Sequence, residues 1–121
     1  MARFRAPNIT KKWEELRDAV WDLYRVYRTS TTSETGDYTT NADVGREFIF
    51  ADSTATGTQT ITLHTGAKDL QERIVKKSGS HGGAVSTATE GSETIDGSAT
   101  HTVTDVTTYL WTDEKGEWSK I

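Results

Sequence analysis

The side chains best suited to hold a metal or move a proton are His64, His81 and His101, and their spacing decides what they can do. No two stand in an HxH or HExxH arrangement, the patterns that bring two imidazoles to one metal, so each reads as a surface or strand histidine. Carboxylates occur in close pairs, Glu90 with Glu93 and Asp113 with Glu114, but both pairs lie near glycine in turn-like segments. Glycosidase chemistry needs two carboxyls held apart across a cleft, one with its pKa raised by burial, and solvated turn acids offer neither. The run SGSHGG, residues 78 to 83, has no GK[ST] and opens no helix, which makes it a flexible loop tip rather than a phosphate cradle. With no cysteine in the chain, thiolate catalysis, disulfides and Cys-ligated metals fall away together. The expectation is a protein that is not an enzyme, with no catalytic residue, no cofactor and no metal.

A different chemistry, ring stacking, is open to the closing segment TYLWTDEKGEWSKI, residues 108 to 121. Strand alternation places Tyr109 and Trp111 on one face and Leu110 on the other. DEKG is a natural type I turn closed by a left-handed Gly116, so 108 to 112 and 117 to 121 are predicted to pair as a hairpin that sets Trp118 across from one of them. Exposed, Tyr109, Trp111 and Trp118 would form a platform for a host glycan. Buried, they would be core or subunit interface, and the scarcity of other large side chains favours that second reading.

The elements that must carry these residues follow from periodicity. Ile9, Trp13, Leu16, Val20, Leu23 and Tyr27 are spaced 4, 3, 4, 3 and 4 apart, the a/d seam of a heptad pattern, which predicts a helix over residues 9 to 28. Asn8 or Thr10 can cap it and Pro7 stops it extending backwards. Trp21, Tyr24 and Val26 widen the apolar surface beyond the needs of a two-stranded coiled coil, leaving room for a third helix or a docking surface. The seam together with Trp21 is the candidate oligomerisation or particle-docking site. Arg17, Trp21 and Arg25 follow at i, i+4 spacing, which allows cation-π contacts along one face.

After Arg28 the composition turns to hydroxyls, and residues 31 to 45 read as a linker between a helical amino-terminal segment, 1 to 30, and an all-β body, 46 to 121. Threonine supplies 21 of residues 29 to 121 and favours strands. Strand-like runs fall at REFIFA (46 to 51), TQTITLHT (58 to 65), ERIVKK (72 to 77), AVSTAT (84 to 89), THTVTDV (100 to 106), TYLWT (108 to 112) and EWSKI (117 to 121), with glycine turns between them. The inward candidates are Phe48, Phe50, Ile61, Leu63, Ile74, Val85, Ile95, Val103, Val106, Leu110, Trp111, Trp118 and Ile121. So few large side chains make a thin monomeric core, for which subunit contacts are the usual remedy, and with the heptad helix at one end a homo-oligomer whose β bodies gather around a common axis is expected.

Charge is divided along the chain: residues 1 to 28 hold seven Lys/Arg against four Asp/Glu, and residues 29 to 121 hold seven against fourteen. An acidic body lacks the basic face that phosphate neutralisation needs, so nucleic acid is not an expected partner. The basic end suits an acidic partner. No run of eighteen apolar residues and no signal-peptide pattern occurs, so the sequence reads as a soluble, non-exported chain without a membrane partner.

The succession TQTITL, RIVKKSG, GSETIDGSATHTV and YLWTDEKGEWSKI, over residues about 38 to 121, resembles a β-rich module of tailed-bacteriophage virion proteins of the head decoration, tail fibre and tail spike types. In those modules the TITL strand commonly runs into Leu-Pro, whereas here Leu63 is followed by His64 and Thr65. The resemblance implies a mainly β sandwich or prism-like fold, a non-enzymatic structural role in the virion, trimeric assembly, and other capsid or tail proteins as partners. A capsid decoration protein or short head fibre held by its amino-terminal helix is the expectation, because 121 residues are short for a receptor-reaching fibre. A tail fibre or tail-tip component, or a module binding host glycan through Trp111 and Trp118, is the alternative.

Overall fold

A computed structural model describes the backbone of residues 6 to 121, with the side chains of 11 to 21, 23 and 28 to 121. One helix, α1 (Ala6–Tyr27), precedes nine strands: β1 (Thr29–Glu34), β2 (Tyr38–Thr39), β3 (Arg46–Ala51), β4 (Gln59–Leu63), β5 (Glu72–Lys77), β6 (Val85–Thr89), β7 (Thr100–Val103), β8 (Val106–Thr112) and β9 (Glu117–Lys120). The chain is mainly β. A five-stranded sheet has the order β1-β3-β5-β8-β9 and a four-stranded sheet the order β2-β4-β6-β7.

The first six strands alternate between the sheets, and each lies parallel to the strand two before it. Parallel neighbours need a crossover, and here each crossover contains a strand of the opposite sheet instead of a helix. The result is a coil of three rungs, β1-β2, β3-β4 and β5-β6. Antiparallel β7, β8 and β9 then close it.

The expected linker over 31 to 45 is therefore corrected. Thr29 to Glu34 pair with Arg46 to Ala51, and Tyr38 and Thr39 pair with Ile61 and Thr62, so this stretch is the first rung of the body. Hydroxyl-rich segments show no apolar period, yet threonine's β-branch suits a strand once a neighbouring ladder is available to receive it.

The two sheets face one another across one core. Ile49, Ala51, Val75, Tyr109, Trp111 and Trp118 enter it from the five-stranded sheet, and Ile61, Leu63, Val85 and Val103 from the other. Six residues expected inside lie on the opposite face of their strands: Phe48, Phe50, Ile74, Val106, Leu110 and Ile121, of which Phe50, Val106 and Ile121 are exposed. The cause is strand phase. In REFIFA and ERIVKK the inward positions begin with Glu47 and Arg73, which are register partners and fully buried, and a period of two carries every following residue with them.

Turns confirm their local chemistry. Ile95 and Ser98 exchange backbone hydrogen bonds around Asp96 and Gly97, both at positive φ (47° and 84°), a two-residue type I′ turn. Gly116 closes the β8–β9 turn at φ 62°, its N–H donating to the Thr112 carbonyl at 2.9 Å. The SGSHGG segment, expected as a flexible tip, packs instead against residues 54 to 57: a Cβ on Gly82 or Gly83 would collide with the Thr54 or Gly57 carbonyl oxygen.

Candidate docking surface

Helix α1 presents its seam to solvent. Trp13, Leu16, Val20 and Leu23 are 65%, 53%, 55% and 58% exposed, and Trp21 is 52% exposed. An open apolar concavity runs along it, lined by Trp13, Leu16, Arg17, Val20 and Trp21. Every described side chain from Lys11 to Trp21 is exposed, so this helix gains no burial from the body over that stretch. Most helical stability in proteins comes from packing an amphipathic face rather than from intrinsic propensity. The side chains of Ile9, Tyr27 and Arg25 lie outside the described residues.

The joint between helix and body is one residue long. Arg28 separates Tyr27 from Thr29, and its carbonyl accepts from Gly45 N at 2.9 Å and Arg46 N at 3.0 Å, which ties the helix exit to the start of β3.

The closing aromatics point the other way. Trp111 and Trp118 face each other across β8 and β9 with centroids 5.7 Å apart and planes at 69°, an edge-to-face pair. Trp118 and Tyr109 are fully buried and Trp111 is 9% exposed, its Nε1–H donating to Asp113 Oδ1 at 3.0 Å. The Tyr109 hydroxyl meets Thr87 Oγ1 at 2.7 Å and His101 Nδ1 at 2.8 Å, and burial pushes its pKa up. A stacking platform needs an exposed ring face, and these rings stand inside.

The body also holds a buried polar network that its sequence did not announce. Arg73 Nη2 donates to the carbonyls of Asn41 (2.7 Å) and Val44 (2.8 Å), and Nη1 to Gly45 (3.1 Å), while Nε lies 3.6 Å from Glu47 Oε1. Glu47 also accepts from Asn41 N at 3.0 Å and from the Tyr38 hydroxyl. Burial lowers the Arg73 pKa to about 10, and burial followed by the bond to Glu47 raises that of Tyr38. Gln71 Nε2 donates to Ala42 O and Val44 O, so its Oε1 is the acceptor for Lys68 N and for His64 Nε2–H at 3.0 Å. His64 is therefore the Nε2–H tautomer, with Nδ1 accepting from Thr40 Oγ1 at 2.7 Å. Together these groups satisfy the carbonyls of Asn41, Ala42, Val44 and Gly45, in the turn that carries the chain from β2 into β3. The one available signal was the pairing of opposite charges at the second position of two apolar strands, Glu47 and Arg73.

Other sequence candidates are dispersed or satisfied locally. His64 is 3% exposed and buried in the network, not on the surface, and its ring stands edge-on to Trp118 at 5.5 Å. His81 contacts Gly83 in its own loop and Gln59 at the start of β4. Glu90 and Glu93 both engage Thr65, and Asp113 accepts from Trp111. Among the described residues no three His, Cys, Asp or Glu side chains gather in a metal-binding group, and no helix is long and apolar enough to cross a membrane. No family model and no curated protein sequence matches the chain.

Proposed function

We propose that this protein is a non-enzymatic structural component of a tailed-bacteriophage virion, a capsid decoration protein or short head fibre that assembles as a homotrimer and attaches through α1. The observation that carries the reading is the exposed heptad seam, Trp13, Leu16, Val20 and Leu23, on a helix joined by a single residue to a closed β body. A helix in that position becomes stable by burying its seam against copies of itself or against a particle surface. The basic amino-terminal segment and the acidic body support an arrangement in which the helix meets the particle and the body projects away from it. The resemblance of residues about 38 to 121 to virion modules supplies the setting. No cofactor, nucleic acid or membrane belongs to this reading, and the inward Trp111 and Trp118 speak against glycan recognition through them.

The test is labelling of purified virions with antibody against the chain, beside the solution mass of the recombinant protein. Label on heads and a mass of three 13.4 kDa chains are expected. Label confined to tails would move the protein to a tail-fibre role, and unlabelled particles would overturn the virion reading.

A further inference from the structure

The two sheets differ in what they show to the outside. On the four-stranded sheet the outward residues are small and mostly hydroxylic: Thr60, Thr62, Ser86, Ala88, Thr100 and Thr102. On the five-stranded sheet, Phe48, Phe50, Ile74, Val106 and Leu110 face outward, and Ile121 continues the row, its N–H donating to Thr108 O at 3.0 Å. Phe50, Val106 and Ile121 are 39%, 53% and 68% exposed. Phe48 and Ile74 are register partners, and in the next row Phe50 and Val106 flank Lys76, whose charge is paired with Asp105, so the apolar groups cluster across three strands around one neutralised lysine. The edge strand beside them, β1, sets only Thr31 and Ser33 next to Phe48 and Phe50, small side chains that leave both rings accessible.

We infer that this outer face of the five-stranded sheet is a subunit interface, occupied by a second copy of the chain, and that it works together with α1. The inference rests on the self-assembly proposed above and names the part of the body that assembly buries. Two features select a copy of this chain as the occupant. The first is continuity. α1 leads into β1, the edge of this same sheet, through Arg28 alone, and one residue spans at most about 3.6 Å. With strands about 4.8 Å apart, Phe48 and Phe50 lie one strand, and Ile74 two strands, from that joint. Helices that associate along their seam therefore bring these sheets together. The second is charge. The face pairs Arg46 with Glu72 at 2.7 Å and Lys76 with Asp105, so its charges cancel locally, whereas residues 29 to 121 as a whole carry fourteen acidic against seven basic groups. Two acidic bodies approach with least repulsion through a neutral apolar face. A charged partner, nucleic acid included, gains nothing there.

The test uses the full chain, in which every cysteine is introduced because none is native. The native protein and the triple variant Phe50→Thr, Val106→Thr, Ile121→Thr are compared by light scattering over a concentration series, with circular dichroism as a check on folding. All three positions are exposed and threonine suits a strand, so the body folds and self-association weakens by roughly a hundredfold or more. Separately, Val106→Cys on this face and Thr102→Cys on the other sheet are treated with a short bis-maleimide. Val106→Cys cross-links between chains and Thr102→Cys does not. A native chain that is monomeric throughout the series would overturn both the trimeric reading and this inference. A trimeric native chain, with a triple variant that assembles equally well or with Thr102→Cys cross-linking as efficiently as Val106→Cys, would overturn this inference alone.

Discussion

The four tryptophans of this chain divide evenly between two fates. Trp13 and Trp21 lie on α1, 65% and 52% exposed, while Trp111 and Trp118 stand 9% and 0% exposed inside the body. Both pairs come from segments with a clear apolar period. What separates them is the partner each period finds. The strand alternation of β8 and β9 meets a second sheet in the same chain, whereas the described seam of α1, Trp13, Leu16, Val20 and Leu23, stays more than half exposed. The buried pair holds the body together, and the exposed pair lies on the face that the proposed assembly would cover.

That division can be broken most directly at Trp118. Trp118→Ala is expected to lower the unfolding free energy of the body by about 3–5 kcal/mol, read by urea denaturation. A variant as stable as the native chain would remove the distinction between the pairs. Trp118→Phe sharpens the point: Nε1 is buried without an acceptor, so this change loses volume but also removes an unsatisfied donor, and its cost falls well below that of alanine.

Next in size is Arg73→Met, which strips Glu47 of its buried cation and the Asn41 carbonyl of its donor, while the Gly45 carbonyl keeps the Glu72 N–H. Removing one partner of a buried pair costs about 3–5 kcal/mol, toward the lower end here because Tyr38 and Asn41 still bind the carboxylate. Hydrogen exchange should open first over residues 40 to 45. Uniform protection there would show that the network does not hold that turn.

Acid should act on the histidines that face the core, His64 in this network and His101 beside Tyr109. Burial lowers the pKa of His64, opposed first by the hydrogen bond to Gln71 and then by Glu90 and Glu93, with Arg73 adding to the lowering, and burial also lowers that of His101, with Lys120 adding and Asp96 opposing. Both histidines therefore bind protons more readily in the unfolded chain. Stability is complete above the unfolded value of about 6.5 and falls as the pH drops below it toward the lowered folded values, with the larger share from His64, the more deeply buried ring. Urea midpoints that decline between neutral pH and about pH 5, with the decline reduced in His64→Gln, are the expected result. A flat native profile would contradict the burial of both rings.

The smallest expected effect on the body belongs to Trp13→Ala. Its change in body stability stays within about 0.5 kcal/mol, as for an exposed site, while the oligomer mass falls at low concentration. Equal loss of stability in Trp13→Ala and Trp118→Ala would erase the comparison from the other side.

Much of the secondary structure was legible. REFIFA and ERIVKK form β3 and β5 over the residues expected, the DEKG hairpin closes through a left-handed Gly116, and the heptad spacing yields a helix. The turn at residues 68 to 71 was less so, because a non-glycine, Leu70, takes φ 67° there. Less legible still was β1, whose hydroxyls carry no period, and least of all the inward phase of the strands. Preferring Phe48 and Phe50 to Glu47 as core is sound when each strand is weighed alone. It fails because Arg73, 26 positions later, arrives beside Glu47 in the ladder and turns a prohibitive buried charge into a paired one.

Local chemistry thus settles, from the residues alone, where this chain is helical, where its apolar strands extend and where its glycine turns fall, since those choices depend on side-chain shape and on neighbours within a few positions. It also settles that one end is basic and the rest acidic. Which face of each strand is core, that strands two apart stack in parallel, and that a row of phenylalanine, isoleucine, valine and leucine remains outside were settled by contacts between distant residues. Strand alternation permits two phases of nearly equal local merit, and only the register of one strand against another, with its pairing of Glu47 and Arg73, selects between them.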